Sequence, residues 1–278
     1  MAKNLNMSDE CWYINSDSMK YKLDGFRYHK SPQNGTRLLI QGLGCESKII
    51  WNGVTNEFSK SDSHRDIIAF DVRGVGKSTG NPISLEQIVD DTIQIVCSEE
   101  GPIQLVGHSL GGIIALKVAE QVQEYIDSVV LICSNPQYTP KAKNGFAWRA
   151  NQIQEMQTVS CIFQKVIPRS FSENFINNHP IAVSEFMDML NRQSPTNYSK
   201  LSLIASEADA LGAFDKIDVP LLMIVGSEDP SITIKRSTEF ASRRDCNLEI
   251  VYGAGHNIPL EDPGMLTHII QQFDSSIH

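Results

Sequence analysis

A chain of 278 residues with 41% hydrophobic content suffices for one large α/β domain, or at most two small ones. Its formal net charge of −9, with acids and bases interspersed, argues against nucleic acid or an anionic membrane as a partner. No apolar stretch approaches the roughly 18–20 residues of a membrane span, and Met1-Ala2-Lys3-Asn4-Leu5-Asn6 lacks the apolar core of a signal peptide, so a cytoplasmic location is expected.

Taken in chain order, Tyr21–His29 reads as an early strand, Arg37–Ile40 as the next and Asp66–Asp71 as a third. Ile83–Cys97 has helical spacing, with Leu85, Ile88, Val89, Thr92, Ile93 and Val96 on one side. A short strand, 103–106, precedes a helical stretch that follows Ser109. Ser128–Cys133 and Pro220–Val225 are continuous apolar runs, the mark of strands buried on both faces. Asn247–Val251 is the last strand and Met265–Phe273 a closing helix. This alternation predicts a mainly parallel central sheet flanked by helices. From about Asn135 to Leu211 the rhythm stops: the stretch has no buried-strand signal, only helix-like pieces at Phe146–Thr158, Cys161–Val166, Phe171–Asn177 and Val183–Asn191. The economical division is a core of residues 1–134 and 212–278, with 135–211 as a helical lid insertion.

Gly107-His108-Ser109-Leu110-Gly111 lies between the strand and the helix, and G-x-S-x-G in that context is the nucleophile elbow. So tight a turn leaves no room for side chains at 107 and 111, and it pushes the serine out at the strand's end on a strained backbone. The alternative is a glycine-rich turn whose Ser109 merely caps the helix.

A serine hydroxyl is a poor nucleophile at neutral pH. It needs a base, and the base needs an orienting carboxylate. For this elbow type the acid and then the histidine follow later strands. Asp229, in Val225-Gly226-Ser227-Glu228-Asp229-Pro230, is the candidate acid, with Glu228 beside it. The rival position after the strand ending at Cys133 holds Ser134 and Asn135, neither of them acidic. His256, in the glycine-rich loop Tyr252–Pro259, is the candidate base; His29, His64, His179, His268 and His278 lack such context, and His108 is expected to pack beside the elbow. The oxyanion hole needs two N–H donors. Leu110, next to the nucleophile, is one; Leu43, in the loop Gln41-Gly42-Leu43-Gly44-Cys45, is the other, with Gly44 as its alternative.

With these motifs in hand, the chain resembles the α/β-hydrolase superfamily, in particular its esterase and enol-lactonase-like branch. The resemblance rests on Gln41-Gly42-Leu43-Gly44, on Asp71-Val72-Arg73-Gly74-Val75-Gly76-Lys77-Ser78, on the elbow, and on the Asp229/His256 pair. It implies an α/β-hydrolase fold with a lid and no cofactor. Most members have His-Gly where this chain has Gln41-Gly42; a glutamine amide still offers a hydrogen bond to hold that loop. Val75–Thr79 is not a phosphate loop, because the glycine that motif requires is replaced by Asp71. The six cysteines, Cys11, Cys45, Cys97, Cys133, Cys161 and Cys246, form no C-x-x-C pair, so no metal site is expected. Asn6-Met7-Ser8, Asn34-Gly35-Thr36 and Asn197-Tyr198-Ser199 match the glycosylation pattern by chance, absent a secretion signal. The basic pairs Lys141/Lys143 and Arg243-Arg244 read as solvated faces.

The expected activity is cleavage of a small-molecule carboxylic ester or lactone through an acyl-enzyme. A carbon–carbon hydrolase or lyase using the same triad, and a binding protein that keeps the triad as a ligand pocket, are the alternatives. A dehalogenase is disfavoured because the nucleophile position holds serine, not aspartate. The lid's apolar residues suit a small or medium apolar acyl group, with Trp148, Phe163 and Phe186 as candidate pocket residues. The oligomeric state is not legible.

Overall fold

The structure is a computed structural model that describes residues 7–16, 19–29, 35–60, 65–82 and 84–277. His64, His278, Ile83 and the acceptors Asn6 and Asn34 lie outside the described residues. The described residues build an eight-stranded sheet: β1 (Met7–Ser16), β2 (Met19–Tyr28), β3 (Thr36–Ile40), β4 (Asp66–Phe70), β5 (Ile103–His108), β6 (Ile126–Ile132), β7 (Leu221–Gly226) and β8 (Asn247–Val251). Their spatial order is β1-β2-β4-β3-β5-β6-β7-β8. The β1–β2 and β2–β4 pairs are antiparallel; every pairing from β4 to β8 is parallel.

The central strands are apolar along their whole length because helices cover both faces. Every residue of β3, β4, β5 and β7 is buried. The helices Leu85–Ser98, Leu110–Gln121, Ile234–Arg244 and Pro263–Ile277 flank the sheet. Ser84 starts the first of them: its side chain accepts the Gln87 N–H, one of the donors that a helix start leaves free.

Some elements differ from the sequence expectation. β2 runs from Met19 to Tyr28, two residues ahead of Tyr21–His29 at its start, and β1 precedes it without having been expected. β1 alternates in burial, with Trp12 and Ile14 inside and Cys11, Tyr13 and Asn15 exposed. Its polar residues dilute the apolar count, so only this period-two signal marks it. β6 stops at Ile132, and Cys133 turns away with φ +45°.

Between β6 and β7 the chain runs through helices Pro140–Met156, Phe163–Ser170, Glu173–Asn178, Pro180–Asn191, Pro195–Glu207 and Leu211–Lys216. The two ends of this stretch meet: Gln137 bridges to Asp209, the Gln137 amide donates to the Asp209 carboxylate at 2.7 Å, and Ala210 N–H donates to Pro136 O at 2.8 Å. Both ends therefore rise from one neck at the carboxyl edge of the sheet.

Candidate active site

The elbow between β5 and helix Leu110–Gln121 is built by close approach. A Cβ on Gly107 would sit 2.4 Å from Gly111 O, one on Gly111 2.1 Å from Ile40 O, and one on Gly112 2.4 Å from Ser134 Oγ. Each is a clash with backbone or with a packed side chain, so the three positions exclude larger residues. The strain falls on Ser109 itself, at φ 55° and ψ −118°, far from the preferred regions for a residue with a Cβ. Ser134 Oγ donates to Ser109 O at 2.7 Å and Ser109 N–H donates to Ile132 O at 2.9 Å, which ties the strained residue to β6. The Ser109 side chain makes no capping bond to the helix it precedes.

Its Oγ instead faces His256 Nε2 at 3.0 Å. His256 Nδ1 lies 2.7 Å from Asp229 Oδ2. An ionised carboxylate only accepts, so Nδ1 carries the proton and Nε2 is left as an acceptor for the serine hydroxyl. The other Asp229 oxygen accepts N–H bonds from Ser231 at 2.7 Å and Ile232 at 3.0 Å. Asp229 is buried while Glu228 is exposed, which separates the two acids that stand side by side in the sequence.

Burial alone would raise the Asp229 carboxyl, but the His256 charge, the His256 hydrogen bond and the two backbone N–H groups outweigh it and hold the carboxyl below its ordinary value. For His256 the order is the same with the sign reversed. Burial pushes the imidazole down, yet the Asp229 charge and hydrogen bond prevail and raise it above 6.5.

His108 is buried, with Nε2 2.8 Å from the carbonyl oxygen of His256. A carbonyl cannot donate, so Nε2 holds the proton and the ring pins the loop that carries His256. Burial, and then the neighbouring His256, push His108 down to about 3. It stays neutral at any working pH. The remaining described histidines lie elsewhere: His29 faces Asp66 at 3.4 Å, His179 stacks on Phe175 and His268 sits on helix Pro263–Ile277.

The loop after β3 comes against the elbow. Gln41 Nε2 donates to Phe70 O at 2.6 Å, so the glutamine ties this loop to the end of β4. Leu43 and Leu110 donate their N–H groups to no other described residue. Gly44, at φ +70°, turns against the Tyr198 ring. In the Asp71–Ser78 loop, Arg73 forms a two-pronged pair with Asp91 of helix Leu85–Ser98, both contacts at 2.5 Å, and lies over the Tyr21 ring. Lys77 and Ser78 hold no helix start, and Ser78 Oγ donates to Asp71 O.

A cavity of about 160 Å³ opens on Ser109 and His256. Trp148 and Phe186 line it. Phe163 does not: it starts helix Phe163–Ser170 and packs, half-buried, against the core, while Val166, Arg169 and Ser170 further along that helix reach the cavity. Tyr138, Arg149, Lys165 and Tyr198 also line it and were not singled out by sequence. No local pattern marks them, because a lining position depends on how four of the helices between β6 and β7 pack together.

Cys133 Sγ, an Asp229 oxygen and a His256 nitrogen come within 4.8 Å of one another. Burial and the nearby Asp229 raise the Cys133 thiol well above 9.0 and keep it protonated. A metal there would have to displace that proton and the hydrogen bonds that already saturate Asp229.

A family model described as the alpha/beta hydrolase family matches residues 38–267. A 3-oxoadipate enol-lactonase of Acinetobacter baylyi is 25% identical over 209 residues, covering 74% of this chain and 77% of its own. A pimeloyl-[acyl-carrier protein] methyl ester esterase of Vibrio vulnificus is 22% identical, covering 85% of this chain and 92% of its own. Among solved structures, a thermophilic esterase from Thermogutta terrifontis superposes with a TM-score of 0.84 at 20% identity, over 98% of this chain and 99% of its own.

Proposed function

The chain belongs to the alpha/beta hydrolase family, and from that premise we propose that it is a serine hydrolase cleaving carboxylic esters or lactones. The observation that carries this reading is the unbroken hydrogen-bonded line from Asp229 through His256 to Ser109, with separations of 2.7 and 3.0 Å. The family supports a hydrolase, and relatives that include an enol-lactonase and a methyl ester esterase support ester or lactone bonds.

In this reading Ser109 Oγ attacks the substrate carbonyl carbon as its proton passes to His256 Nε2. The carbonyl π electrons move to oxygen, and the N–H groups of Leu43 and Leu110 hold that oxyanion; each such donor lowers the barrier by roughly 3 kcal/mol. Asp229 keeps the imidazole in its reactive tautomer and stabilises the imidazolium. Collapse of the intermediate expels the alcohol, which takes the proton from His256. A water, deprotonated in turn by His256, then attacks the acyl-enzyme and releases the acid. Residues 135–211 act as the cap: Tyr138, Phe146, Trp148, Arg149, Phe186 and Tyr198 all come from that stretch and close over Ser109.

Ser109→Ala tests the reading directly. Turnover of p-nitrophenyl esters should fall by about 10⁴-fold or more, with the circular dichroism spectrum unchanged. Turnover equal to the parent's would overturn it. A Ser109 that reacts with a fluorophosphonate in a chain that hydrolyses no ester would favour the ligand-binding alternative.

A further inference from the structure

The cavity over Ser109 is largely apolar, as the composition of residues 135–211 suggests, but cations interrupt its wall. Three cations line it: Arg149 from helix Pro140–Met156, and Lys165 and Arg169 from helix Phe163–Ser170. Among the described residues no carboxylate lines it with them. Elsewhere Arg27, Arg37, Arg65, Arg73, Arg192 and Arg243 pair with acids, and Arg236 and Arg244 donate to the backbone carbonyls of Gln137 and Asp215. Arg149, Lys165 and Arg169 have no ion-pair partner among the described residues. Arg149 is half-buried, has only the Tyr198 hydroxyl at 3.5 Å for company, and lies over the Phe146 ring at 5.3 Å. Lys165 lies over the Trp148 ring at 4.0 Å. Tyr138 adds a buried hydroxyl in the same cavity, close to the Ser109 side chain.

Lys165 and Arg169 are exposed and hydrated, so they cost little where they stand; Arg149, half-buried with no acid beside it, is the cation that an entering anion would neutralise. We infer that the substrate of this site carries a carboxylate apart from the bond that is cleaved, that Arg149 binds that carboxylate, and that Lys165 and Arg169, exposed one turn apart at the mouth, draw it in. A guanidinium matches a carboxylate with two parallel N–H bonds, so Arg149 supplies orientation as well as charge. The two mouth cations, being hydrated, act on encounter more than on the bound state. This inference rests on the ester-hydrolase reading and deepens it: the preferred substrate is the half-ester or lactone of a dicarboxylic acid, not a plain fatty ester.

A matched pair of substrates tests it. Mono-p-nitrophenyl glutarate carries the free carboxylate, and its methyl ester is the same molecule without the charge. The native chain should show a kcat/KM ratio of acid to methyl ester of about ten or more at low salt. In Arg149→Met the ratio should fall about tenfold or more, and Arg149→Lys should lie between. Lys165→Gln with Arg169→Gln should flatten the dependence of the acid's kcat/KM on salt up to about 0.5 M. A native ratio near one, or an Arg149→Met ratio equal to the native one, overturns the inference. If neither substrate turns over, it is the ester-hydrolase reading that fails. The anion site is then judged by titration calorimetry with free glutarate: binding lost in Arg149→Met supports it, and no binding to the native chain overturns it.

Discussion

At the residue scale, the side chains proposed for catalysis do work that their neighbours set up. Ser109 occupies a backbone conformation that few residues other than glycine tolerate, and bonds from Ile132 and Ser134 hold it there. Such strain, held by surrounding structure, would keep the proposed nucleophile aimed before any substrate arrives. The raised His256 has a measurable consequence. A general base acts deprotonated, so kcat/KM on a p-nitrophenyl ester should climb with pH through an inflection above 6.5. Asp229→Asn removes the charge that raises it. The inflection should then move down while kcat falls by about 10⁴-fold. A pH–rate profile of both proteins checks the two effects together; an inflection that does not move would mean that another group titrates. The sign holds for stability too. A raised imidazole favours the fold below its unfolded value, and that contribution fades as pH rises through the folded one. His108 shows what local reading misses: it sits next to Ser109 in sequence, yet its ring pins the loop that carries His256.

At the scale of elements, the elbow depends on three backbones passing within van der Waals contact. β5, the start of helix Leu110–Gln121 and the end of β3 meet at Gly107 and Gly111. Gly111→Ala would place a methyl 2.1 Å from Ile40 O, and that backbone has nowhere to go because β3 is hydrogen-bonded on both sides. We expect a loss of about 2–3 kcal/mol in urea unfolding, together with lost activity, since Ile40 leads into the Leu43 loop. A fully stable Gly111→Ala would show that the turn has slack the geometry denies. The sequence marks this element by glycines at a fixed spacing between an apolar strand and a helix, and leaves a helix-capping serine as the alternative. It marks β1 poorly, since Glu10, Asn15 and their neighbours hide an alternating strand. Helix Pro195–Glu207 also escapes notice. Its buried face mixes Tyr198, Leu201, Ile204 and Ala205 with two serines, Ser199 and Ser202, which donate to Ala150 O and Tyr198 O and dilute the apolar stripe.

At the scale of the molecule, the strand order puts β3, β5, β6, β7 and β8 side by side, so loops far apart in sequence gather at one edge of the sheet. Leu43, Ser109, Asp229 and His256 all follow carboxyl ends of parallel strands, which is where open α/β sheets collect their functional groups. The two ends of the chain are held in register by a buried charge. Arg37 on β3 is fully buried and meets Gln104 of β5 and Asp274 of the closing helix. Asp274→Ala would leave that cation unpaired, and a loss of about 3–5 kcal/mol in the unfolding free energy is expected. A loss under about 1 kcal/mol would place Arg37 in a far more hydrated setting than its burial indicates. What the sequence determined by itself was everything written in short-range code: apolar runs that can only be strands between helices, a glycine-bounded serine, an acid and a histidine each just past a strand. Those signals are local because backbone geometry and periodicity act over a few residues. Only the tertiary structure decided which groups share the cavity. It set Asp229 inside and Glu228 outside, let Trp148 and Phe186 line the site but not Phe163, and brought three cations from two helices over the serine. Those outcomes depend on how separate elements pack against one another, and packing is a property of pairs of surfaces that no single stretch of chain encodes.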